Sequence, residues 1–132
     1  MSVLDRIFRP TLARARREAE AGRTEEAVRL FVEAGAFDEA ERSALAALDR
    51  KVALDERVAF LRSVLRGFPE AHGGGTLARD LGKALAALAG EAGRPLAERR
   101  LLFAEAATCL ERAGLAIQAA DAYLAAGSRD EA

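Results

Sequence analysis

The residues with the clearest chemical potential form the run His72-Gly73-Gly74-Gly75. In some ester hydrolases an HGGG run supplies backbone N–H groups to an oxyanion hole, beside a serine nucleophile held in a G-x-S-x-G turn of an α/β sheet. The four serines of this chain are Ser2, Ser43, Ser63 and Ser128, and none of them lies in that motif. We therefore interpret the run as a hinge between two helical halves and expect replacement of His72 by Ala to be silent.

The segment from Gly73 to Ala78 also fits the dinucleotide-binding pattern G-x-G-x-x-A. That pattern binds a dinucleotide when an apolar strand precedes it, because strand, glycines and helix together hold the pyrophosphate at the helix N-terminus. The preceding residues, Phe68-Pro69-Glu70-Ala71, do not make an apolar strand. The sequence therefore predicts neither a nucleotide nor any other cofactor.

Metal and thiol chemistry have few candidate residues. Cys109 is the only cysteine and His72 the only histidine, and they are far apart in the sequence. A structural zinc site takes four such ligands, so none can be assembled within this chain. Cys109 shares an apolar helix face with Ala106 and Leu110, which favours a buried thiol that packs as a small hydrophobe. We expect a non-enzymatic protein with no catalytic residue and no metal.

The composition favours helix throughout. The 132 residues include 32 Ala and 18 Leu but no Trp, and aromatic residues make up 5%. Ala and Leu lose little side-chain entropy in a helix, whereas sheets favour β-branched and aromatic residues.

A net charge of −1 gives no general attraction to nucleic acid, so we expect no nucleic-acid partner. With no signal peptide and no internal disulfide, we expect a cytoplasmic protein; 18 Arg against 2 Lys is typical of a GC-rich, bacterial genome.

Apolar residues at helical spacing predict seven helices joined mostly by short loops, besides an N-terminal helical turn that ends at Pro10. A glycine-rich loop, 67–75, joins the halves 1–66 and 76–132. We therefore predict a single all-α domain over residues 1–132, made of stacked antiparallel helical hairpins in an α-solenoid or a helical bundle.

Three glycines begin the same short pattern, with small residues five and twelve positions later and an aromatic or small residue nine positions later. The members are Gly22, Ala27, Phe31 and Ala34; Gly35, Ala40, Ala44 and Ala47; and Gly114, Ala119, Tyr123 and Ala126. Glycine tolerates the left-handed backbone of a tight turn, and the small residue at +5 lets a neighbouring helix approach. The pattern predicts hairpins whose apolar faces must be covered by their neighbours.

This pattern resembles the tetratricopeptide repeat, in which glycine, alanine, an aromatic residue and alanine follow in that order. The spacing of 13 residues from Gly22 to Gly35 is shorter than that family's repeat of about 34. The tighter spacing is similar to the short helical hairpins of coat-protein and trafficking solenoids. The resemblance implies an interaction scaffold or adaptor that binds a protein or peptide along one face of the stack.

The N-terminal segment 1–17 is basic and amphipathic. Its arginines are Arg6, Arg9, Arg14, Arg16 and Arg17, and its apolar residues include Val3, Leu4, Ile7 and Phe8. Two interpretations stay open. In the one we favour, the segment covers the end of the solenoid and its arginines lie in water. In the other, Val3, Leu4, Ile7, Phe8, Arg14 and Arg17 dock on an anionic membrane or an acidic partner, and the protein is a peripheral membrane-targeting adaptor.

The last residues begin another copy of the pattern, from Gly127 to Ala132. Either the sequence is the N-terminal part of a longer protein, or a partner supplies the missing helix. A solenoid without a polar cap exposes an apolar face and tends to associate. We therefore expect self-association through the C-terminal hairpin, centred on Ile117, Tyr123 and Leu124.

Overall fold

The computed structural model describes residues 3–69 and 75–127, and of residues 3–8 it describes the backbone alone. Over these residues there are seven helices and no strands, which confirms the all-α class. The helices are α1 (Val3–Glu20), α2 (Thr24–Glu33), α3 (Phe37–Leu48), α4 (Leu54–Leu65), α5 (Gly75–Ala89), α6 (Leu96–Arg112) and α7 (Ala116–Ala126).

The predicted break at Pro10 is wrong, because α1 continues through this residue. A proline inside a helix removes one backbone hydrogen bond and costs about 3 kcal/mol. The residues after it, in the sequence TLARARREAE, are mostly strong helix formers. Their preference outweighs the local cost, so the N-terminal turn and the following helix form one element.

The starts of the helices rely little on side-chain caps. Thr24 is the first residue of α2, and Arg23 occupies the cap position without a side-chain hydrogen bond. Glu25 and Glu26 lie in the first turn of α2, where negative charge interacts favourably with the helix dipole.

The described residues form two compact units. Unit 1 contains residues 3–51 and 63–69, and unit 2 contains residues 52–62 and 75–127. In unit 1, α2 packs against both α1 and α3, and in unit 2, α6 packs against both α5 and α7. Helix α4 contributes its last three residues to unit 1 and the rest to unit 2. These units differ from the predicted halves because residues 52–62 group with the later part of the chain.

Both cores combine small alanines with larger apolar side chains. Helices α2 and α3 of unit 1 bury four alanines among their leucines and Phe31. Helix α5 of unit 2 buries four leucines, and Gly82 of this helix lies against Ala106 and Leu110 of α6. Small residues at helix contacts allow the backbones to approach closely, which fixes the position of α6 and hence of α7.

Candidate interaction surface

The turns that precede α2, α3 and α7 share one backbone geometry. Gly22, Gly35 and Gly114 have φ angles of 81°, 76° and 79°. In each turn the glycine N–H donates to the carbonyl three residues earlier, and the next N–H donates to the carbonyl five residues earlier, over distances of 2.8 to 3.1 Å. This double hydrogen bond, the Schellman motif, satisfies carbonyls at the helix end. The pattern therefore begins from equivalent turns in both units.

The alanines five residues after these glycines are all buried. Ala27 and Ala40 are fully buried in unit 1, and Ala119 is buried in unit 2. A methyl group at this position leaves room for the neighbouring helix. Counting positions from each of these glycines, which we call the glycine register, therefore identifies structurally equivalent residues in α2, α3 and α7.

The later positions of the pattern differ between the units. Phe31 of α2 is 2% exposed, whereas the equivalent Tyr123 of α7 is half-buried. Ala34 and Ala126, at the ends of these two helices, are both half-buried. The same register therefore produces a well-covered helix in unit 1 and a less covered helix in unit 2.

The glycine turns do not by themselves identify a family. No family model matches this chain, and no curated protein or solved structure matches it. The resemblance to the tetratricopeptide repeat and to short-hairpin solenoids therefore stays a prediction.

The exposed side of α7 forms an apolar surface that we call the α7 outer face. It consists of Ile117, Ala120, Asp121 and Leu124, whose spacing of i, i+3, i+4 and i+7 places them on one side of the helix. Ile117 is 78% exposed and Leu124 is 55% exposed. Asp121 is the only charged residue of α7. The exposed side of α7 therefore carries two large apolar side chains beside one charged residue.

All the large apolar side chains that are exposed among residues 9–69 and 75–127 belong to unit 2. They are Val52, Leu96, Leu101, Ile117 and Leu124. The sequence pattern predicted an interaction role for Ile117 and Leu124 but not for the other three. The pair Leu101-Leu102 carried a signal, because adjacent residues of a helix point about 100° apart and a buried Leu102 turns Leu101 outward.

The arginines of the N-terminal segment are partly engaged within unit 1. The Arg14 guanidinium lies 3.5 Å from Glu26 of α2. Arg16 donates two hydrogen bonds to Glu39 of α3, over 3.1 and 3.3 Å, and these bonds raise the pKa of Arg16 above its usual range. Arg17 is exposed, with no ion pair to any residue of the described part of the chain.

The apolar residues proposed to accompany these arginines, Val3, Leu4, Ile7 and Phe8, have side chains outside the described residues. Their backbone belongs to the first turns of α1. Over the part of the chain that the structure describes, no helix is both long enough and apolar enough to cross a membrane.

A cleft of about 400 Å³ lies in unit 1 between α2 and the end of α4. Val28 of α2 and Val64 of α4 line it. The Ser63 hydroxyl of α4 donates a hydrogen bond of 2.8 Å to the carboxylate of Glu25 in α2. The end of α4 therefore lies beside α2 in unit 1.

Unit 2 has its own contact with α4. Arg62 of α4 donates two hydrogen bonds to the Glu105 carboxylate of α6, over 2.8 and 2.5 Å. Burial, with a smaller contribution from the negative charge of Glu105, raises the pKa of the nearby Cys109 thiol to about 11. A thiol with so high a pKa is a poor nucleophile at neutral pH, so this arrangement favours a structural role.

The described residues bring no metal site together, since no group of three or more His, Cys, Asp and Glu side chains is arranged there to hold an ion. His72, Gly73 and Gly74 of the HGGG run lie outside the described residues, and Gly75 is the first residue of α5. The final copy of the pattern also lies outside them after Gly127, whose φ of 85° repeats the left-handed geometry of the earlier glycines.

Proposed function

We propose that this protein is a non-enzymatic interaction scaffold or adaptor, built from helical hairpins, that binds a protein or peptide partner through unit 2. The observation that carries the proposal is the α7 outer face, where Ile117 and Leu124 are exposed on a helix whose other side is already packed. Neighbouring large apolar side chains that are exposed together are characteristic of interaction sites. Full burial of an exposed side chain of this size supplies about 1.5–3 kcal/mol, and these partly buried side chains supply less.

The experiment is a binding assay with matched baits. The domain is immobilised as the native sequence, as the double variant Ile117→Ser with Leu124→Ser, and as the control Gln118→Ser, which changes another exposed residue of α7. The proposal expects a saturable protein partner from the source lysate that the native and control baits retain and the double variant loses. Baits that retain no protein, or the same proteins equally, contradict it.

The alternative function, membrane targeting by segment 1–17, has less support. Arg14 and Arg16 contribute charge to contacts with α2 and α3, which leaves less for a lipid surface. Co-sedimentation with anionic vesicles that is lost on charge reversal of Arg14 and Arg17 would favour this alternative. A protein that stays in the supernatant at low ionic strength would exclude it.

A cytoplasmic location is part of the same proposal. It is supported by the single cysteine, Cys109, which is free and buried rather than part of a disulfide. Disulfides are characteristic of oxidising compartments, whereas free thiols persist in the cytoplasm. Fractionation of the source cells tests this location directly.

A further inference from the structure

The glycine register makes the two units directly comparable at the α7 outer face. Counting from Gly22 and Gly114, Ile117 corresponds to Glu25, and Ala120 corresponds to Val28. In unit 1, Val28 is 1% exposed beside the end of α4, whereas Glu25 is exposed and accepts a hydrogen bond from Ser63 of α4. In unit 2, Ala120 is half-buried, and the exposed position that carries glutamate in α2 carries Ile117 in α7.

Helix α4, whose residues up to Arg62 belong to unit 2, has a sequence that is complementary to the α7 outer face. The side chains of the α7 outer face are, in order, apolar at 117, small at 120, acidic at 121 and apolar at 124. Helix α4 has the same spacing at 58, 61, 62 and 65, with an arginine in place of the aspartate. Three of these residues are buried: Val58, Leu61 and Leu65. Arg62 donates hydrogen bonds to the carboxylate of Glu105 in α6. A helix of this kind thus already packs beside an acidic residue in this protein.

Asp121 decides between a second copy of the chain and a different helix. It is exposed and forms no ion pair with any residue of the described ranges 3–69 and 75–127. Pairing of two α7 outer faces would bring one Asp121 close to the other in either relative direction, because this residue lies near the middle of the face. Like charges at such a contact are unfavourable. A basic residue in the same place is favourable.

We propose that the α7 outer face docks an amphipathic helix of a partner protein, which presents a basic residue to Asp121 between apolar residues that cover Ile117 and Leu124. The docked helix occupies on α7 the position that the end of α4 occupies on α2. This inference rests on the proposed function and specifies its partner.

The probe is a synthetic peptide with the sequence of residues 54–68, which contains the α4 pattern. It is titrated into the whole domain, and backbone amide shifts are followed by NMR. The expected result is that shifts concentrate at residues 117–124. Asp121→Arg in the domain weakens binding about tenfold, and Arg62→Glu in the peptide does the same. Combining the two charge reversals restores the affinity to within about threefold of the original.

Three results would overturn the inference. Binding that is insensitive to Asp121 would exclude this face as the site, and sensitivity to Glu105 instead would show that the peptide replaces the chain's own α4. No binding of the peptide at millimolar concentration would exclude a helix of this chemistry. A dimer in sedimentation velocity that Ile117→Ser with Leu124→Ser abolishes would identify a second copy as the occupant. A bait that still captures a partner in any of these cases keeps the proposed function and rejects only the inference.

Discussion

Gly82 of α5 and Leu110 of α6 lie so close that a Cβ atom on Gly82 would stand 2.8 Å from Cγ of Leu110. The same atom would stand 3.2 Å from the backbone carbonyl oxygen of Ala106. Neither neighbour can move freely, because one is backbone and the other is a buried branch point. The glycine inside α5 is therefore required by the contact with α6, although it lowers the helix propensity of its own segment.

We expect Gly82→Ala to destabilise the protein by about 1–3 kcal/mol, because overpacking outweighs the gain in helix propensity. Urea unfolding followed by circular dichroism measures the change. The matched control is Gly75→Ala at the start of α5, where an added Cβ meets nothing within 4 Å. Equal stabilisation by both substitutions would show that α5 and α6 are not in close contact at Gly82.

The turn before α7 gives a second expectation. Gly114→Ala forces an L side chain into a left-handed backbone, at a cost of about 1–2 kcal/mol, and Gly114→Asn should cost less. Gly90→Ala is the control, since Gly90 is not among the glycines with positive φ and its added Cβ would make ordinary contacts at 3.5 Å or more. If Gly114→Ala lowers the midpoint of thermal unfolding no more than Gly90→Ala does, the left-handed turn geometry at Gly114 is contradicted.

Acid should weaken unit 1 through two carboxylates. Hydrogen bonds from Arg23 hold the pKa of Glu18 below its ordinary value of 4.5, and hydrogen bonds from Arg29 do the same for Glu26. Because the folded pKa values are the lower ones, their stabilisation is present above pH 4.5 and is lost as the pH falls through the folded values. Unfolding midpoints measured down to about pH 3 should fall less steeply for Glu18→Gln with Glu26→Gln than for the native chain. Parallel pH profiles would show that these pairs do not contribute.

Cys109 should react slowly with thiol reagents in the folded protein. Its pKa of about 11, against an ordinary 9.0, lowers the thiolate fraction at neutral pH about a hundredfold, and burial slows access further. The rate of modification by an aromatic disulfide reagent is measured for the folded chain and for the same chain in guanidinium. Rapid modification of the folded protein would place the thiol at the surface.

The ion pair between Arg62 and Glu105 should contribute modestly. Both side chains are more than a third exposed, so solvent screens their attraction. A double-mutant cycle with Arg62→Ala and Glu105→Ala is expected to give a coupling of about 0.5–1 kcal/mol that decreases with added salt. A coupling near zero would mean that apolar burial alone holds α4 in unit 2.

The sequence by itself determined the all-α class and seven helices, because alanine- and leucine-rich segments at helical spacing have one way to bury their apolar faces. It also located the left-handed turns before α2, α3 and α7, since their geometry depends on the glycines themselves and on residues within five positions. The helix break predicted at Pro10 was wrong, because the local cost of a proline is smaller than the helix preference of the residues that follow it. Only the tertiary structure assigned residues 52–62 to unit 2, showed why Gly82 is a glycine, and left Val52 and Leu96 exposed. Those outcomes depend on which helices meet, and contacts between residues distant in sequence leave no regular spacing to read.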